Sequence, residues 1–359
     1  MHTRRTLAVY TLSHFCVDFG CFFLLTGAMK AALTDVRVLT AGYLLYNVIA
    51  FGLQAPIGFF CDGRSPRLPA AAGCILMLLG LALPADVWLR MGLCALGNAF
   101  FHVGGGIDAL LHAGGRLSRS GVYVSSGALG VTLGTLAGGG DRFPLWLTVA
   151  LMGAAFFAVL MWGDSPRPRR ADLREDRFHR PALERLIKGS LPVVLMCLLS
   201  VVIRAYGGGA LRFSWNTGFL ALLPGTFSCL GKAAGGYLAD RFGPRKVGTA
   251  SLLLSLPLLC FGMNSPWLCL PGILLFNMTM PITLYAVALR MPGKPGFAFG
   301  LTTLALLAGT VPLYLLRLDA GAIPLVLAVC TLLSAASVLL AVPKPKRSVD
   351  RDTTDVSAV

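Results

Sequence analysis

The sequence predicts an all-α membrane protein of about twelve transmembrane helices, arranged as two pseudo-symmetric six-helix bundles. Three observations carry that reading. Of 359 residues, 56% are hydrophobic and 13% charged, and the mean hydropathy is +0.74; a soluble domain needs about twice that share of charge to wet its surface. Apolar runs of about 20 residues recur along nearly the whole chain, each long enough to cross a hydrocarbon core of about 30 Å. Finally, one loop pattern occurs once in each half, 178 residues apart.

The predicted spans are 6–28, 40–61, 68–84, 85–112, 119–140, 144–162, 189–207, 213–238, 246–263, 265–290, 296–317 and 320–342. Helix is the expected state throughout, because lipid cannot satisfy the backbone groups of an open strand. The basic opening Met1-His2-Thr3-Arg4-Arg5 imitates a signal peptide. The run behind it is long, carries His14 and Asp18 and has no small-residue cleavage site, so it reads as the first span. The longest hydrophilic interruption, 163–188, holds eight basic and five acidic residues. It divides the chain into an N-terminal bundle (1–162), a cytoplasmic linker (163–188), a C-terminal bundle (189–342) and a cytoplasmic tail (343–359).

The net charge of +15 would suggest nucleic acid in a soluble protein. Here the basic residues sit in short loops between apolar runs, with no basic stripe, so nucleic acid is not an expected partner. With the N-terminus inside, cytoplasmic segments collect about 23 of the 31 Lys and Arg and the other side about seven. That asymmetry predicts a multi-pass protein of a bacterial-type inner membrane, with both termini cytoplasmic, lipid as its solvent and a monomeric state. The ten cysteines show no Cys-x-x-Cys spacing and read as small, reduced core residues. Neither a metal nor a cofactor is expected, and the nucleotide-binding Gly-x-x-x-x-Gly-Lys-Ser/Thr pattern is missing.

The repeated loop is Gly58-Phe59-Phe60-Cys61-Asp62-Gly63-Arg64-Ser65-Pro66-Arg67 after the second span. After the eighth it is Gly236-Tyr237-Leu238-Ala239-Asp240-Arg241-Phe242-Gly243-Pro244-Arg245-Lys246. Asn98 and Asn277 repeat at an offset of 179. Loops and polar residues at a nearly constant offset indicate duplication of a six-helix unit. In each loop the Gly lets two helices approach, and the Asp sits at a helix end with Arg and Lys beside it as charge-assisted partners that can form and break.

The second loop closely resembles the signature cytoplasmic loop of the major facilitator superfamily, G-x-L-A-D-R-x-G-x-R-K. The first is a degenerate copy that lacks the Leu, the Arg after Asp62 and the second Gly. The resemblance covers essentially the whole chain and implies rocker-switch alternating access, with spans one, four, seven and ten lining a central cavity. His14-x-x-x-Asp18, Phe101-His102 and Arg204 are similar to the fosmidomycin-resistance-like branch of that superfamily. Two features depart from the expected pattern: His102 is followed by Val103 and three glycines, and the glycine-rich fifth span lacks the proline of drug-antiporter helices.

Ionisable groups inside a membrane are costly unless they face water or partners, so each is a functional candidate. His14 and Asp18 share one helical face. Burial opposes the charge on Asp18 and an imidazolium neighbour favours it, an opposition suited to taking up and releasing a proton. The cavity implied by the resemblance turns His14, Asp18, Asn98, His102, Arg204 and Asn277 toward one path. Arg204 either faces that path, attracting an anion or pairing with Asp18, or snorkels to the interface. Lys232 reads as an end-of-helix anchor. The expected cytoplasmic gate comprises Gly58, Asp62, Arg64, Arg67, Asp108, Gly236, Asp240, Arg241, Gly243, Arg245 and Lys246, with Asp108 pairing with Arg64 or Arg67.

The functional expectation is a secondary transporter, not an enzyme, that moves a small organic solute with proton coupling; within that class export is preferred over uptake. The alternative is a membrane sensor or enzyme that keeps the fold without transport.

Overall fold

The computed structural model describes residues 2–140, 143–163, 183–316 and 318–342. Among the described residues the protein is helical, with twelve helices and no strand. The first six are α1 (Arg4–Ala32), α2 (Val36–Cys61), α3 (Arg67–Ala82), α4 (Val87–Leu111), α5 (Leu117–Gly139) and α6 (Leu145–Trp162). The second six are α7 (Leu183–Gly209), α8 (Leu223–Phe242), α9 (Pro244–Gly262), α10 (Pro266–Leu289), α11 (Pro295–Leu315) and α12 (Ala320–Ala341). Eight are long and apolar enough to cross a membrane by length and composition. Of the others, α3 is a shorter apolar helix, and α5, α8 and α9 carry more glycine and polar residues.

Helix starts follow local chemistry. Asp35 accepts from the N–H groups of Arg37 and Val38 ahead of α2, and Asp86 does the same for Trp88 ahead of α4. In the second half, Pro224, Pro244, Pro266 and Pro295 open α8 to α11, where a missing N–H costs nothing. Some boundaries differ from those predicted. Helix α1 runs on to Ala32 through a wider π turn at Leu25–Met29, and a second π turn spans Val48–Gly52 in α2. A 3-10 turn (Gly218–Leu222) precedes α8, because Pro224 fixes where the α-helix begins, so 213–217 are not helical. Helix α7 starts at Leu183, inside the predicted linker. The rest of that linker (164–182) and the tail (343–359) lie outside the described residues.

Buried apolar side chains form two clusters. One draws on residues from Val9 to Val159 with Leu284 and Phe299, the other on Val194 to Val342 with Leu117. Glycine governs the closest helix approaches. On α5, a Cβ at Gly130 or Gly134 would strike the backbone of Phe15 or Phe19, so α1 and α5 lie nearly backbone to backbone. Gly58 of α2 is in the same relation to Gly296 of α11 across the two bundles.

Candidate functional site

The π turn aside, α1 is regular around His14 and Asp18, and the i, i+4 spacing brings both side chains to the face that meets α4 and α5. His14 Nε2 lies 3.2 Å from Asp18 Oδ2. From α4, a second i, i+4 pair meets the same carboxylate: Asn98 Nδ2 donates to Asp18 Oδ1 at 3.0 Å, and His102 Nε2 stands 3.6 Å from that oxygen. All four residues are buried. Both imidazoles are oriented from behind. His14 Nδ1 is 2.8 Å from the carbonyl of Tyr123, and His102 Nδ1 is 2.9 Å from the carbonyl of Asn98. Each Nδ1–H therefore donates to a backbone oxygen, and each Nε2 points at Asp18.

Two residues that sequence reasoning passed over complete this cluster. The Tyr123 ring stacks on His14 with centroids 4.8 Å apart, and its hydroxyl donates to the His102 carbonyl at 3.3 Å. A Cβ at Gly127 would collide with the Asp18 carboxylate and the His14 ring. No local pattern marks Tyr123; Gly127 was visible only as one glycine in a rich helix.

The second bundle contributes cations. Lys232 lies in the middle of α8, not at its end, and is half-buried. Its charge acts on Asp18 and His102 and also on Arg204. The reading of Lys232 as an end-of-helix anchor is therefore corrected. Arg204 is 8% exposed, which rules out snorkelling to an open interface. Its Nη2 donates to Thr283 Oγ1 of α10 at 3.2 Å, and its Nε has no partner. Among the described residues no carboxylate forms an ion pair with Arg204 or Lys232, so the anticipated pairing of Arg204 with Asp18 is not made. Asn277 also departs from expectation. Its Oδ1 accepts from Ser228 of α8 and its Nδ2 donates to the Ile273 carbonyl one turn back, so both ends of the amide are engaged in helix contacts.

At the loop end, the repeated motif does something more specific than sequence reasoning gave it. Asp62 accepts from the N–H groups of Gly296 (2.6 Å) and Phe297 (3.1 Å) at the start of α11. Asp240 accepts from those of Leu117 (2.6 Å) and Ser118 (3.0 Å) at the start of α5. Each carboxylate caps the free N–H groups of a helix in the opposite bundle. The expected partners, neighbouring Arg and Lys, are not the ones these carboxylates use: Arg64, Arg241 and Lys246 are exposed, with Arg241 lying over Phe242. Arg67 donates to the Leu160 carbonyl, and Arg245 is half-buried. Burial pushes the Asp62 carboxyl up, while the two N–H groups and Lys294 pull the other way. Gly236 packs on Leu117 and Ser118 as Gly58 packs on Gly296. Gly243 has φ +93° and turns the chain from α8 into α9; in the first loop Gly63, at φ +82°, takes that duty two positions earlier in the repeat.

Asp108 also has partners inside its own bundle. It is 1% exposed and pairs with Arg119 at 2.7 Å and with His112 at 3.3 Å. Arg119, in the first turn of the very next helix, reaches Asp108 inside the same bundle. At the opposite end the bundles also touch: Asn47 of α2 donates to the Tyr314 hydroxyl of α11 at 2.8 Å, and Gly225 of α8 packs against Thr132 of α5.

No protein-family profile and no curated protein matches the sequence. Solved structures do match in fold. The Escherichia coli fucose:proton symporter FucP superposes with a TM-score of 0.69 at 14% identity, over 96% of this chain and 100% of FucP. A second structure of FucP, described as a major facilitator superfamily transporter in the outward conformation, gives 0.62 at 16% identity, over 92% and 100%. The human organic anion transporter MFSD10 gives 0.65 at 16% identity, over 95% and 99%. With two six-helix bundles, a motif copy at the same loop of each and full-length overlap, the chain has the fold of the major facilitator transporters.

Proposed function

We propose that the protein is a proton-coupled secondary transporter of a small organic anion, working by alternating access between its two bundles. The observation that carries the reading is the division of charge across the centre: a carboxylate between two imidazoles in one bundle, two cations without a carboxylate in the other. Neutral imidazoles that donate from Nδ1 present lone pairs at Nε2, and an ionised Asp18 presents lone pairs back. A shared proton resolves that opposition, which gives the cluster a reason to carry one. Among the described residues the buried guanidinium of Arg204 forms no ion pair, and a membrane interior makes such a charge costly until something pairs with it. A carboxylate- or phosphate-bearing solute supplies the pairing.

The cross-bundle caps at Asp62 and Asp240 act as the latches of one closed state. Each holds about 1 kcal/mol of capping energy, small enough to be released when the bundles rock. The protein operates in a bacterial-type inner membrane with both termini in the cytoplasm, as the basic loops favour.

The test is flux of radiolabelled organic anions into proteoliposomes under an imposed pH gradient. The expected result is gradient-driven flux that falls by about 100-fold in Asp18→Asn, while exchange of substrate across equal pH persists. Undiminished gradient-driven flux in that variant would remove Asp18 from coupling. Flux of neutral sugars with no response to anions would remove the proposed substrate class.

A further inference from the structure

The geometry points to a binding site for a divalent transition-metal ion, of the Zn²⁺, Co²⁺ or Ni²⁺ type, formed by His14, Asp18 and His102. One ligand atom from each of these residues lies within 4.8 Å of the others. His14 Nε2 lies 3.2 Å from Oδ2 and His102 Nε2 3.6 Å from Oδ1, so the two imidazoles flank opposite oxygens of the carboxylate at separations typical of neighbouring ligands around an ion held at about 2.0–2.2 Å. Two imidazoles and one carboxylate form the nitrogen-and-oxygen donor set that such ions prefer, with positions left open.

The surroundings fit as well. Metal-bound histidines almost always donate their second ring N–H to a carbonyl or carboxylate, which fixes the tautomer and the ring plane. Both histidines already do this, to the carbonyls of Tyr123 and Asn98. A fourth donor is at hand. Asn98 Oδ1 is buried without a partner, and a half-turn of its amide would bring that oxygen to the place where Nδ2 now meets Asp18. A bound ion would staple α1 to α4 and occupy the carboxylate that a shared proton would otherwise use. The positive charge of Lys232, which acts on Asp18 and His102, opposes it. The inference does not depend on transport and is measured on the stationary protein.

The experiment is equilibrium dialysis of chelator-stripped, detergent-purified full-length protein against Zn²⁺, with Co²⁺ absorption spectra as a second readout. One saturable site per chain is expected, with cobalt ligand-field bands reporting nitrogen and oxygen ligands. His14→Gln and His102→Gln should each weaken binding on the order of 100-fold, beyond the effect of losing an outer partner. His112→Gln, a histidine outside the cluster, should bind as the wild type does. Lys232→Met should tighten binding about tenfold if its charge opposes the ion. Absence of a saturable site in the wild type, or its survival in the double His14→Gln, His102→Gln variant, would overturn the proposal. Because the wild type alone can overturn it, a variant that fails to fold does not leave the question open. Proton-driven flux in metal-free buffer tests the transport reading separately, so either can fail without the other.

Discussion

The two bundles handle buried charge in opposite ways. In the first, Asp18 is surrounded: two imidazoles, one amide and the glycine-lined face of α5 close on it, and each histidine is anchored by a backbone carbonyl. In the second, Arg204 has a single hydroxyl partner and a bare Nε, and Lys232 forms no ion pair with a carboxylate among the described residues. The same fold unit, duplicated, has thus produced a carboxylate with several polar neighbours on one side, with Asn98 Oδ1 still open, and cations that form no ion pair among the described residues on the other. Mutual partners stabilise a buried group, whereas an unpaired charge marks where a ligand supplies the missing one.

The comparison predicts opposite stability effects. Asp18→Ala strips partners from His14, Asn98 and His102 and should cost about 3 kcal/mol, read as a lower melting temperature in detergent. Arg204→Met, by contrast, removes an uncompensated charge and should leave the melting temperature unchanged or higher while weakening anion binding by about tenfold or more. A large destabilisation by Arg204→Met would show that the second bundle's charge is paired after all. Next in size is Gly127→Ala. Its added Cβ meets Asp18 and His14 and should cost about 1–3 kcal/mol, against little for the same change at Gly153, where nothing stands within 4 Å of an added Cβ. Equal melting temperatures for these two variants would remove Gly127 from the cluster's support.

The smallest effects concern the latches. Asp62→Asn and Asp240→Asn should each shift the balance away from the loop-closed state by about 1 kcal/mol, seen as faster labelling of a cysteine introduced at position 297 or 118 respectively. Because the two caps are built alike, the shifts should match. A marked difference would show that the degenerate first loop has lost the function of its copy.

Much of this arrangement was readable in the chain. Apolar run lengths, loop charge and the duplicated Gly-x-x-x-Asp gave the helix count and the two bundles, because membrane helices are constrained chiefly by length and hydropathy. The pairing of His14 with Asp18 was also readable, since i, i+4 neighbours on one helix meet without help from the rest of the fold. Contacts between helices were not. Asn98 and His102 were candidates from polarity alone, but only packing against α1 brought them to one and the same oxygen of the Asp18 carboxylate.

Asn98 and Asn277 occupy matching places in the repeat and yet diverge, because Asn98 meets a carboxylate on α1 whereas Asn277 meets a serine hydroxyl, Ser228, on α8. Asp108 meets Arg119 because the tight α4–α5 connection delivers that guanidinium within its own bundle. The sequence by itself determined the solvent, the helices and the duplication, since these follow from how many apolar residues stand in a row. Tertiary structure alone decided which buried charges are satisfied and which wait for a partner, since a side chain's electrostatic environment is set by neighbours that lie far away along the chain.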